Sequence, residues 1–142
     1  MRIAIAGEIP FVDEVERLCL RAAHDVRVFL VEDFWGAIEA GQVADRLADV
    51  EIAIEVHNES AAAKQELLLA FGTYLPEDAL VLTSCLATSA TQAASWTRRP
   101  ERVVGFGILP PVPDEGIIEL TSALQTAESA LIQADLFWRG LG

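Results

Sequence analysis

The side chains with chemistry to offer gather where apolar runs stop. The first run, "RIAIA" (2–6), leads into "GEIPFVDEVERL" (7–18), a glycine followed by a helix-forming segment. Phe11, Val12, Val15, Leu18, Cys19 and Ala22 share one face of that helix. A strand, a glycine-rich turn and a helix N-terminus is how a chain cradles the pyrophosphate of a dinucleotide. Here Gly7 is the one glycine; Ile9 and Val12 stand at the places of the next two, among Glu8, Asp13 and Glu14. Bulk at Ile9 is expected to block a phosphate, and Val12 to spoil the close packing of helix on strand. The three carboxylates are expected to complement the helix dipole and repel a diphosphate. The turn reads as one remodelled away from its ligand.

Further candidates follow the later runs. "VRVFLV" (26–31) reads as a strand with Glu32 and Asp33 at its end, placed to accept ribose hydroxyls. "EIAIEV" (51–56) leads to a loop where Glu55 and Glu59 flank His57 and Asn58, the most polar stretch of the chain. Two carboxylates and a histidine can hold a metal, but without a fixed spacing the plainer reading is a solvated loop and no metal. Ser60 is a candidate N-cap for a helix carrying Leu67, Leu68, Phe71 and Leu75 up to Pro76. After "ALVLTS" (79–84), Ser84 either holds a carbonyl or hydroxyl oxygen or caps the next helix. Cys85, with no histidine nearby in sequence, reads as a small half-buried residue rather than a nucleophile.

The elements that must position these residues continue in the same rhythm. "TSATQAASWT" predicts a short helix, "RVVGFG" (102–107) a fifth strand and "PPVP" (110–113) a rigid turn. "GIIELTS" (116–122) predicts a sixth strand and "QTAESALIQADLFWRG" (125–140) a terminal amphipathic helix. Strands alternating with helices predict an α/β domain with a mostly parallel sheet. Its ligand edge is the set of turns after Ala6, Val31, Val56, Thr83 and Phe106.

With 52% hydrophobic and 23% charged residues over 142 positions, the chain reads as one packed domain. A net charge of −12 argues against nucleic acid and against anionic membrane surfaces. Cys19 and Cys85 form no CxxC pair, and Ile3–Ala6 is too short for a leader or a span, so a reduced, cytoplasmic protein is expected. Trp35, Trp96 and Trp138 are read as core or interface anchors. A mean hydropathy of +0.34 and the late aromatics of "LFWRGLG" predict a homodimer through the last strand and helix.

Three segments, "IEVHNESAAAKQELL" (54–68), "PEDALVLTSCLATS" (76–89) and "RPERVVGFGILPPVPDEGIIEL" (99–120), together resemble the NAD-binding domain of the 3-hydroxyacyl-CoA dehydrogenase family. The likeness covers roughly 48–140, and 2–33 as a strand–helix–strand outline. It implies a Rossmann-like, doubly wound sheet of about six strands with helices on both faces. It also implies a single domain over 1–142 without the family's C-terminal helical domain. Where the family has a long helical arm, this chain has "FWGAIEAGQVADRLAD" (34–49). Glu55 and Glu59 match two family glutamates, Lys64 the lysine, and Thr83 and Ser84 the threonine and first serine of N-T-S-S. Glu119 matches the glutamate that orients the family's catalytic histidine. The resemblance thus implies Ser84 and Glu119 as catalytic candidates, and Gly7, Glu32, Asp33, Glu55, Glu59, Lys64 and Thr83 as positions to hold NAD.

The departures fall on the chemistry. Gly107 stands where the proton-accepting histidine belongs, Pro110 replaces the asparagine beside it, and Leu82 replaces the asparagine of N-T-S-S. Neither His24 nor His57 matches the catalytic position. Losing a general base costs about 10²–10⁴ in rate. The chain is therefore read as a catalytically inactive binding or interaction module with no cofactor, NAD being bound only if the family site survives. The alternatives are an NAD-dependent oxidoreductase working through a non-standard site, and a binder of a smaller nucleotide or acyl ligand in the strand-edge cleft.

Overall fold

The computed structural model describes residues 1–39, 41–108 and 118–141. Six strands form one sheet in the order β2-β1-β3-β4-β5-β6. These are β1 (Arg2–Gly7), β2 (Asp25–Leu30), β3 (Ile52–Val56), β4 (Leu80–Ser84), β5 (Val103–Gly107) and β6 (Glu119–Ser122). All neighbours are parallel except β5 and β6, which run antiparallel. The expected Rossmann-like α/β class is what forms.

Helices cover both faces. Helices α1 (Phe11–Arg21) and α6 (Glu128–Gly140) pack on one, and α2 (Val31–Glu39), α3 (Gln42–Leu47), α4 (Ala61–Tyr74) and α5 (Ala90–Ser95) on the other. Residue size sorts the two layers. Toward α1 and α6 the central strands present Ile3, Ile5, Ile52, Ile54, Leu80 and Leu82. Toward α2–α5 they present Ala4, Ala6 and Ala53, and the space so left is filled by Phe34 and Phe71, whose rings meet edge-on 6.5 Å apart. Trp138 is buried, while Trp35 and Trp96 are half-buried.

Local signals set several boundaries. The Ser60 hydroxyl accepts from the Ala63 N–H at 3.3 Å and opens α4, as the sequence predicts. Ser89, not Ser84, caps α5 by accepting from the Gln92 N–H at 3.1 Å. Strand β2 ends one residue early: Val31 already belongs to α2, so Glu32 and Asp33 lie exposed in its first helical turn and not at a strand end. Acidic residues suit that turn because they face the positive end of the helix dipole. Within segment 34–49, which stands where the family has a long helical arm, the described residues form most of α2 and all of α3. The "PPVP" turn, Pro110 included, and the first two residues of the expected sixth strand lie outside the described residues. Among the described residues no helix is long and apolar enough to cross a membrane.

Cys19 sits fully buried in the layer under α1, and burial, with a smaller push from Glu16, lifts its thiol from the ordinary 9.0 to about 12. Above pH 9 the unfolded chain loses a proton that the folded chain keeps. Folding stability therefore falls with rising pH across that window, by up to about 1.4 kcal/mol per unit from this group. Urea titrations from pH 8.5 to 11 should show a steeper alkaline loss for the wild type than for Cys19→Ala; equal slopes would refute it.

Candidate functional site

The strand order reverses beside β1: the chain moves from β1 out to β2 and then returns to place β3 on the other side of β1. Ligands of doubly wound sheets bind in the crevice such a reversal opens at the carboxyl ends of the strands. Two loops border it here, 8–10 after β1 and 57–60 after β3.

Gly7 is needed for packing. A Cβ there would lie 2.7 Å from the carbonyl carbon of Val56 and 2.7 Å from its Cγ2, so the end of β1 closes against β3 only without a side chain. Ile9 does not fill the crevice as expected; its side chain is 58% exposed. Val12 does not spoil the helix–strand packing either, since it is fully buried in the core under α1. Asp13 and Glu14 do occupy the first turn of α1. Glu8 takes a different course from the one expected of it. Its carboxylate crosses to the other loop, where Oε1 accepts from the Asn58 N–H at 3.1 Å and Oε2 lies 3.2 Å from His57 Nδ1. The Ser60 N–H donates to His57 Nε2 at 3.2 Å, so the ring of a neutral His57 carries its proton on Nδ1, toward Glu8. A carboxylate only 13% exposed at this crevice does not fit the diphosphate of NAD, because like charges at such separations repel strongly in a partly desolvated cleft.

Behind that crevice lies a buried polar network. Lys64, 1% exposed on α4, is 2.6 Å from Glu55 Oε1, and its ammonium donates to the carbonyls of Ser84 at 2.7 Å and His57 at 3.1 Å. Glu55, fully buried, also accepts from the Thr83 hydroxyl at 2.6 Å and the His57 N–H at 2.6 Å. Burial pushes the Glu55 carboxyl up from its ordinary value, while Lys64 and these hydrogen bonds pull the other way. Glu55 and Glu59 thus do not share a solvated loop: Glu55 is inside the sheet and Glu59 is exposed. Lys64 and Thr83, candidates to hold a cofactor, spend their polar atoms on the protein itself.

At the carboxyl end of β4 the Ser84 hydroxyl is buried and donates to Asn58 Oδ1 at 3.1 Å. It caps no helix. Cys85 beside it is half-buried, and burial raises its thiol. Gly107 ends β5 and pairs directly with Glu119 across the antiparallel ladder. A Cβ at Gly107 would meet Glu119 Cβ at 3.7 Å, an ordinary contact. Glu119 is exposed. His24 is remote, at the amino end of the sheet, where Nδ1 lies 3.2 Å from the N-terminal amine and the ring sits against Phe137. The structure therefore gathers Gly7, Glu55, Lys64, Thr83 and Ser84 with His57 into one neighbourhood and leaves Glu32, Asp33 and Glu59 at the surface. Sequence reasoning missed the part played by Asn58, which bridges Glu8 and Ser84; its position at a strand end was the available signal.

A model of the family described as 3-hydroxyacyl-CoA dehydrogenase, NAD binding domain, matches residues 13–142. The 3-hydroxybutyryl-CoA dehydrogenase of Bradyrhizobium diazoefficiens is 30% identical over 105 residues, which are 74% of this chain and 36% of that protein. A probable 3-hydroxybutyryl-CoA dehydrogenase of Bacillus subtilis is 27% identical over 95 residues, 67% of this chain and 33% of that protein. The chain thus spans about a third of the length of these curated relatives. In fold it matches the (S)-3-hydroxybutyryl-CoA dehydrogenase of Ralstonia eutropha with a TM-score of 0.85 at 18% identity, over 99% of this chain and 60% of that one.

The network carries its own test. Removing one partner of a buried ion pair strands the other, so Lys64→Met should cost about 3–5 kcal/mol in urea denaturation. Replacing Glu55 by Met as well should recover part of that loss. A double variant less stable than Lys64→Met would show that an unpaired Glu55 is not what the single variant suffers from.

Proposed function

The chain belongs to the family of 3-hydroxyacyl-CoA dehydrogenase NAD-binding domains, and on that premise we propose that it is a non-dehydrogenating member, a binding module that keeps the scaffold without the chemistry. The observation that carries this is the pairing of Gly107 with Glu119. The register that would set a glutamate beside a side chain at position 107 is intact, and the residue at that position has no group to take a proton. Neither histidine substitutes for it. His57 is held between Glu8 and the Ser60 N–H, and His24 lies at the far end of the sheet.

Ser84 supports the same reading. Its hydroxyl is directed to Asn58 Oδ1, and its carbonyl is taken by Lys64, so it serves the framework of the loop. The polar groups retained from the family motif hold β3, α4 and β4 in register, which leaves a rigid edge suited to binding. Mixing the chain with NADH and acetoacetyl-CoA should give no loss of nicotinamide absorbance above the rate without protein. Saturable oxidation that disappears in Ser84→Ala would establish the oxidoreductase reading instead.

The binding partner that the surface favours is a second copy. Strand β6 has no described strand on its outer side, so its backbone edge is free to pair. On α6, Ile132 and Leu136 are 55% and 65% exposed one helical turn apart, and Leu124 between β6 and α6 is 91% exposed. Size-exclusion with light scattering at micromolar concentration should give twice the chain mass of 15.4 kDa. Ile132→Glu with Leu136→Glu should halve it, and a monomeric wild type removes the idea.

A further inference from the structure

Helix α6 turns two sides of opposite character to its surroundings. Ala130, Ala134, Phe137 and Trp138 are buried against the sheet. At about 100° per residue, Glu128, Ile132, Leu136 and Arg139 fall within an arc of about 80° on the side facing away from it. Ile132 and Leu136 are more than half exposed, and Glu128 and Arg139 are exposed at the two ends of the same stripe. From the N-terminus of α6 to its C-terminus the stripe is acidic, apolar, apolar and basic. Arg139 Nε donates to Asp135 at 2.9 Å, which leaves most of the guanidinium's donors unused. Glu128 has no ion-pair partner among the described residues.

We propose that a second copy of the chain seats on this stripe, as an antiparallel pair of α6 helices related by a two-fold axis. The inference rests on the homodimer reading and adds to it the surface, the direction and the register of the contact. A chain of net charge −12 repels its own copy, so the contact must bring opposite charges together while it covers apolar side chains. Parallel helices would set Glu128 against the partner's Glu128 and Arg139 against the partner's Arg139. Antiparallel helices with Ile132 facing the partner's Leu136 bring Glu128 within one residue, about 1.5 Å along the axis, of the partner's Arg139. Two-fold symmetry repeats each contact and gives an apolar centre with an ion pair at either end. The stripe points away from the sheet, while the open edge of β6 lies in the sheet's plane. The contact therefore stacks the subunits α6 on α6 and does not join their sheets.

Sedimentation velocity over about 1–100 μM compares the dimer dissociation constants of wild type, Glu128→Arg, Arg139→Glu and the chain carrying both changes. Each single reversal sets like charges at both ends of the pair and should weaken the dimer about tenfold. The double reversal should return it to within about threefold of wild type. Both substitutions also oppose the helix dipole, so fraying of α6 alone would make the double variant the weakest of the set. Rescue separates the two causes. Should a reversal unfold the chain, Glu128→Gln and Arg139→Gln remove the attraction without adding repulsion, and each should weaken the dimer about threefold. A dimer indifferent to these changes, or one that the double reversal weakens further, would overturn the α6 pairing and leave the homodimer reading to the β6 edge. A monomeric wild type removes both.

Discussion

An ammonium group removed from water must find acceptors for all of its protons or destabilise whatever buries it. Lys64 meets that demand with Glu55 from β3, the His57 carbonyl after β3 and the Ser84 carbonyl at the end of β4. One side chain on α4 thereby fixes the relative positions of a helix, two neighbouring strands and both of their outgoing loops. Glu55 answers in kind, taking the Thr83 hydroxyl and the His57 N–H along with Lys64. The network is buried and almost fully satisfied, so it favours one arrangement of the ligand edge over its alternatives.

That arrangement decides what the crevice beside β1 can accept. With His57 held by its backbone on Glu55 and by its ring on Ser60, the loop after β3 cannot turn its donors elsewhere. Glu8 reaches across, accepts from the Asn58 N–H and lies 3.2 Å from His57 Nδ1. A turn that by strand order should receive phosphate is thus bridged by a carboxylate from the same chain. The packing of Gly7 against Val56 brings the loops close enough for this to happen.

The other side of the edge shows a different separation of scaffold from chemistry. Strands β5 and β6 keep the pairing that sets Glu119 across from position 107, and the residue there is glycine. Register depends on the whole ladder and on the apolar sides of both strands, so it survives the loss of a single side chain. The non-dehydrogenating reading rests on that one side chain. Fold membership and reaction chemistry are accordingly two questions in this protein, answered by different residues.

Periodicity determined the α/β class, the number of strands and the helix under Ser60, and motifs in order carried the resemblance to the family, because each rests on residues close in sequence or on their succession. The absence of an imidazole at position 107 was equally legible. The destinations of the polar side chains were not. Glu55 and Glu59 look alike in a string, yet one is sealed inside the sheet and the other is in water, since burial of the first depends on Lys64 and on Thr83 from another strand. Ile9 and Val12 were expected to obstruct a ligand, whereas one faces solvent and the other completes the core. Glu8 bonds a backbone group fifty positions away. Only the order of strands, which places the end of β1 beside the end of β3, makes those two residues neighbours.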